Sequence, residues 1–147
     1  MPKWTDAATV KKHFHGLNLS AEGMEDADIN VRIERAERYV GARLRVSKAT
    51  MDAWTDVAAT PPSVNDVTAK YAAAEVLADT QGGSSPDAIT WVNAWRDEVD
   101  KVIAEINVGA LTLFDKDGVA VALAAADYYV ERDATDREFT REKLERL

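Results

Sequence analysis

The sequence predicts a mainly α-helical fold: a small bundle of about four helices, then a short β-hairpin and a C-terminal helical tail. Three observations carry this reading. Apolar residues recur at steps of three and four over several long stretches, the period of one helix face. Helix-start chemistry, such as Ser63-Val64-Asn65-Asp66 or Ser85-Pro86-Asp87, precedes them. The apolar period becomes two only near residues 111–123. At 147 residues, 46% hydrophobic and 30% charged, the chain suits one domain with a real core. We divide it into a helical domain over 1–130 and a partner-docking tail over 131–147.

The elements follow in order. Thr5 is the expected N-cap of a short helix through Phe14, with Val10 and Phe14 on its apolar edge and Gly16 past its end. Leu17 to Asp28 is polar and acidic and leads to a cap at Asp26 or Asp28. Ile29, Ile33, Ala36, Val40 and Leu44 then share one face of a helix, and Glu34 and Arg38 lie on the other at four-residue spacing. Gly41 inside this helix costs about 1 kcal/mol relative to alanine, which points to a close neighbour that needs the space.

Ser47 to Thr60 has no clear period; Met51 and Trp54 are its anchors and Pro61-Pro62 ends it. The Ser63 capping box opens an alanine-rich helix with Val64, Val67, Tyr71, Ala74 and Ala78 on its buried face. Alanines at 69, 72, 73 and 74 let other helices come close, so this helix is placed centrally. After the loop Gln81 to Ser85, Ser85 caps a long helix with Pro86 at its first position and Asp87 in its first turn. Val92, Trp95, Val99, Val102 and Ile106 form a narrow seam on it, and Gly109 stops it.

Leu111 and Leu113, a turn at Asp115-Lys116-Asp117-Gly118, then Val119, Val121 and Leu123 make the expected hairpin; Ala122 to Ala126 could instead seed a helix. Thr135-Asp136-Arg137-Glu138 is a capping box for a final helix whose large apolar residues are Phe139, Leu144 and Leu147. Such a helix is marginal alone, so it either docks on the body or stays partly disordered until a partner arrives.

Several chemistries are set aside by composition. The absence of cysteine excludes disulfides, thiolate metal sites and cysteine nucleophiles. A formal charge of −8 disfavours tight binding to phosphate backbones and anionic lipid. The first residues lack the apolar run of a secretion signal, and no run reaches the roughly eighteen apolar residues of a membrane span; the expectation is a soluble cytoplasmic product with no membrane partner.

The remaining candidate sites are weak. His13 and His15 are the sole histidines and point in different directions on a helix, without a third ligand. Asp115 to Gly118 has glycine at the fourth position where a calcium loop needs it at the sixth, so it reads as a turn. Gly82-Gly83-Ser84-Ser85 lacks the lysine of a phosphate loop. Trp4, Trp54, Trp91 and Trp95 are not set in basic patches, so core or interface packing is expected; Trp95 is assigned to the core and Trp91 to its edge. No catalytic, cofactor or metal residues are assigned.

The helix from Ile29 to Leu44, the Pro61-Pro62 break, the alanine-rich helix Ala69 to Ala78 and the ending Ile106-x-x-Gly109-x-Leu111-x-Leu113, with Asp117-Gly118 after it, together resemble the head-to-tail connector (adaptor or head-completion) proteins of tailed bacteriophages. The likeness runs from Thr5 to Gly118 and departs at Ser47 to Met51, where an aromatic-proline stretch is usual. It implies a non-enzymatic virion neck subunit, assembled in the host cytoplasm, that forms a ring of about twelve copies below the portal protein and meets a stopper or tail-completion protein. DNA would pass through the acidic lumen without specific binding, and no cofactor is implied. On this reading Phe139, Leu144 and Leu147 bind the portal, while Trp91, Trp95, Val99, Val102 and Ile106 serve subunit packing or the core. The alternative is a helical regulatory or interaction protein, unrelated to virions, that dimerises through the Val92 to Ile106 seam.

Overall fold

Helix starts are set by which side chain or carbonyl satisfies the first free N–H groups. The computed structural model describes residues 2–14, 24–81 and 86–124, and five helices lie within them. These are α1 (Ala7–Lys12), α2 (Asp26–Arg43), α3 (Lys48–Asp52), α4 (Pro62–Gln81) and α5 (Pro86–Asn107). Asp6, not Thr5, caps α1: its carboxylate accepts from the Thr9 N–H at 2.7 Å, and hydrogen bonding from Thr9 holds its pKa below the ordinary carboxyl value. Thr5 is instead buried. The cap of α2 is Glu25, not Asp26 or Asp28, and Asp28, in the first turn, reaches back to accept from the Glu25 N–H at 3.3 Å. α3 resolves the segment without a clear period: Ser47 caps it by accepting from the Thr50 N–H at 3.2 Å.

The Ser63 box lies inside the first turn of α4. The helix starts one residue earlier, with Pro62 at its first position and the Pro61 carbonyl accepting from Val64 and Asn65, both at 3.0 Å. α5 begins at Pro86, as the Ser-Pro-Asp signal predicts, while Ser85 lies outside the described residues.

α4 is the central element and packs against both α2 and α5. Beyond the predicted face of Val64, Val67 and Ala74, it also buries Thr68, Ala69, Ala72, Ala73, Val76 and Leu77, so most of its circumference is covered. Thr68 tolerates burial because its hydroxyl donates to the Val64 carbonyl at 2.7 Å. The core has two lobes. One joins Ile29, Ile33 and Ala36 of α2 to the C-terminal half of α4 and to Ala88 and Val92. The other joins Val40 and Leu44 to Val64 and Val67 and to Val99, Ile103 and Ile106. α4 therefore runs antiparallel to α2 and α5, which run parallel to each other.

Polar contacts tie the three helices at their waist. Tyr39 of α2 stacks on Tyr71 of α4 at 4.1 Å, Arg43 lies 3.5 Å over the Tyr39 ring, and the Tyr39 hydroxyl donates to Asp100 of α5 at 2.6 Å. That hydrogen bond raises the Tyr39 pKa above the ordinary phenol value. Gly41 has the close neighbour its position predicts: a Cβ there would meet the Trp4 ring at 3.1 Å. Trp4 is held by its own N–H, which donates to Glu37 at 2.8 Å, and by an edge contact with Trp54 at 5.4 Å.

The β-hairpin expected near 111–123 is not formed. The turn at Asp115 to Gly118 is present, with Asp115 accepting from the N–H groups of Asp117 and Val119, both at 2.9 Å. Among the described residues, however, Phe114 and Ala120 make only an isolated antiparallel bridge, and no strand develops. Two causes act together. A two-stranded ribbon is marginal without a further layer, and Ala120, Ala122 and Ala124 are poor strand formers. The returning limb is drawn instead onto the helices: Val121 and Leu123 pack on the second lobe, and the Ala124 N–H donates to the Arg45 carbonyl at 2.8 Å.

The end of α2 is held by Asn107, the last residue of α5. Its side-chain oxygen accepts from the Arg45 N–H at 2.7 Å, and its amide donates to the Arg43 carbonyl at 2.8 Å. Asn107→Ala removes both partners and is expected to cost about 1–2 kcal/mol. Urea unfolding at unchanged m-value is the measurement, and a midpoint equal to that of the unaltered chain would show that water replaces the clasp.

Candidate interaction surface

A 22-residue α5 with its seam turned inward leaves its first turns and its outer stripe for other contacts. Of the seam residues, Val92, Val99 and Ile106 are buried against the body, Val102 and Trp95 are half-buried, and Ile103 takes a core place that the seam reading gave to Val102. Trp91 is 58% exposed. It stands 6.1 Å from Trp95, which is in turn edge-on to Phe14 at 5.7 Å and to His13 at 6.2 Å. The end of α1 thus supports a small aromatic platform on α5, with Trp91 as its outermost member.

Beside the platform, α4 and α5 enclose a groove of about 630 Å³. Val67, Val99, Val102 and Leu111 supply its apolar lining; His13, Asp66, Lys70, Glu98, Lys101 and Glu105 supply its polar lining, and Lys70 pairs with Glu98 across it. An apolar floor with charges of both signs at its margins suits an amphipathic segment better than a small anion. A second groove of about 590 Å³ lies between the Thr50 to Ala59 segment and the Asp115 turn. Of its three carboxylates, Asp56, Asp115 and Asp117, the first two are engaged in their own turns, with Asp56 accepting from the Ala59 N–H at 2.7 Å.

His13 joins the platform to the first groove, and its pKa lies below the ordinary imidazole value of 6.5. Burial disfavours the imidazolium and Lys70 repels it, against smaller opposing effects of Asp66 and Glu98.

Other apolar side chains are exposed at the far end of α5. Val108 is 78% exposed just past the helix, and Phe114 and Val119 stand out from the turn. The outer face of α2 carries exposed Arg35 and Arg38, and that of α5 carries exposed Asp87, Asp97 and Lys101; Arg43 and Asp100, also exposed, are engaged with Tyr39 at the α2–α5 junction. Among the described residues no three His, Cys, Asp or Glu side chains converge on a possible metal position, and no helix is long and apolar enough to cross a membrane. His15, the Gly82 to Ser85 loop, and the tail residues Phe139, Leu144 and Leu147 lie outside the described residues.

Sequence reasoning placed Trp91 at an edge and Trp95 inward, but it missed Phe14 and His13 as their supports, because these come from a helix remote in the chain. Comparison of the chain with protein-family models, curated proteins and solved structures finds no match.

Two outcomes follow. Trp91→Ala should leave stability within about 0.5 kcal/mol, whereas Phe14→Ala should cost about 3 kcal/mol, both read by urea unfolding. Because His13 resists protonation when folded, the unfolded chain binds a proton first as pH falls. The stability due to neutral His13 is therefore present above pH 6.5 and is lost as pH falls through the lower folded value. His13→Gln should flatten the decline in urea midpoint between about pH 7 and 5; an unchanged slope would assign the decline to other groups.

Proposed function

We propose that this chain is a structural subunit of a phage neck, forming a ring below the portal protein that completes the head and joins it to the tail. The observation that carries the reading is the pair of unlike apolar patches at the two ends of α5: Ile89 and Trp91 at the start, Val108, Phe114 and Val119 beyond the end. A subunit that joins different components above and below itself needs contacts at both ends, whereas a simple symmetric dimer needs one self-complementary patch. Exposed aromatic residues beside a groove are the usual anchors of such contacts.

The residues behind the connector resemblance also have consistent roles. Ile106 is fully buried and Leu113 nearly so, and Gly109, at φ 79°, turns the chain out of α5 so that 111–124 folds back over the second lobe. The neck reading brings with it the portal protein, copies of the chain itself and a stopper or tail-completion protein as partners. DNA passes through the lumen and is repelled by the net charge of −8. The rival, a regulatory dimer joined through the Val92 to Ile106 seam, would have to expose Val92, Val99 and Ile106, which α5 spends on the core.

Negative-stain electron microscopy of the chain mixed with the portal protein of the same phage tests the reading, with a truncation after Val130 as control. Ring density below the portal is expected with the full chain. The truncated chain, lacking Phe139, Leu144 and Leu147, should keep its helical circular dichroism and lose the ring. Absence of any association would remove the neck reading, and ring density with the truncation would remove the role given to the tail.

A further inference from the structure

α2, α4 and α5 form a layer with α4 in the middle, and its two sides are finished differently. On the side of Tyr71, Glu75 and Asp79, polar pairs close it: Arg32 with Asp79, Arg96 with Glu75, and Tyr39 with Asp100. On the side of Asp66 and Lys70, α1 lies on α2 and α4 through Val10 and Phe14, and His13 at its end lines the groove between α4 and α5. Among the described residues that groove remains uncovered.

Its shape is that of a helix seat. Positions 63, 66, 67 and 70 of α4 make one wall and 98, 101, 102 and 105 of α5 the other, each a single helix face over about two turns, or about 10 Å. Val67, Val99 and Val102 are its floor. The pair of Lys70 and Glu98 marks one end, and Glu105 and Leu111 mark the other. Lys70 and Glu98 neutralise each other, so the charges left over are Asp66 and Glu105 against Lys101, none of which has an ion-pair partner among the described residues.

The chain carries a segment that matches this seat. Thr135 to Glu138 is a capping box, and on a helix the following Phe139, Leu144 and Leu147 share an arc of about 140° over about 12 Å. Lys143 lies within that arc and Arg146 on its border, whereas Glu142 and Glu145 lie on the far side. The charges beside the apolar arc are therefore basic, and the surplus in the groove is acidic.

The described chain also ends where this segment is needed. Leu123 packs on the lobe that takes Val102 and Leu111, and Ala124 is bonded to Arg45 beside Asn107, the last residue of α5. Residues 125–134 can span about 35 Å, roughly the length of α5, so the segment reaches the whole groove. A tether this short holds it at about millimolar effective concentration, an advantage that no separate molecule has.

We propose that in the free chain residues 135–147 lie in the α4–α5 groove as a short helix, with Phe139, Leu144 and Leu147 on Val67, Val99 and Val102 and with Lys143 toward the groove acids. The contact goes beyond the neck reading and does not depend on it, since it belongs to the chain before any partner binds. Where the portal is the partner, the same three residues leave the groove to reach it, and until then their apolar surface is covered.

The test is amide hydrogen exchange of the full chain without portal protein, read residue by residue by NMR over a tenfold range of concentration. Amides 140–145 should exchange at least about tenfold more slowly than their intrinsic rates, to the same extent at every concentration. Val102→Lys in the half-buried floor and Leu144→Asp in the tail should each bring them to within about twofold of those rates while α4 stays protected. Should Val102→Lys also expose the amides of α4, Leu144→Asp decides alone, because it leaves every core residue in place. Intrinsic rates in the unaltered chain, or protection that survives either substitution with α4 intact, would overturn the proposal. Protection that grows with concentration would assign the groove to another copy's tail and overturn it equally. Ring formation on the portal is read separately by microscopy, so failure of the neck reading and failure of this contact are told apart.

Discussion

Everything in this molecule is arranged around an alanine-rich helix covered on most of its circumference. α4 can be central because Ala69, Ala72, Ala73 and Ala74 present almost no side-chain bulk, which lets α2 and α5 reach its backbone on two sides. The larger residues of the core therefore come from the outer helices: Ile29, Ile33 and Val40 from α2, Val99, Ile103 and Ile106 from α5. Interiors are packed as tightly as molecular crystals, so the small residues of α4 and the larger ones of its neighbours are a single volume constraint. α1 and the Trp4 segment close the two lobes at their open edges.

That constraint explains what the sequence made legible. Ile29 to Val40 lies on a helix packed on one side only, so its period was plain and its buried face was read correctly. α4 has no polar face to reveal which side is inward, and only the clustering of alanines marked it as central. In the seam of α5, steps of three and four fit both Val102 and Ile103, and contact with α4 decides for Ile103. The cap of α1 falls at Asp6 rather than Thr5, since both are competent caps and tertiary contacts choose between them; those of α2 and α4 fall at Glu25 rather than Asp26 or Asp28 and at Pro61 rather than Ser63. Thr5 is lost to α1 since the neighbouring Trp4 is drawn onto Gly41.

The failed hairpin shows the limit of period alone. Alternation at Leu111 and Leu113 and again at Val119, Val121 and Leu123 is real, and the turn between them forms. What alternation cannot say is whether the apolar side of an extended segment meets another strand or a helical body. Here Leu113, Val121 and Leu123 meet the second lobe. The candidate surface was legible only in part for a related reason. Trp91 and Trp95 sit on one helix, whereas His13 and Phe14 reach them from the turn that ends α1, and nothing local in the sequence announces a contact of that range.

The two lobes divide the tryptophans evenly. Trp4 and Trp54 lie together in the lobe near the end of α5, and Trp91 and Trp95 lie together at the other. An indole shielded from water emits at shorter wavelength than one in contact with it, so the first pair is a blue reporter and Trp91 a red one. The chain thus carries a built-in optical label at each end of its bundle. Loosening of one lobe while the other holds would appear as a change in spectral shape, and occupation of the Trp91 platform as a blue shift with no change in fold.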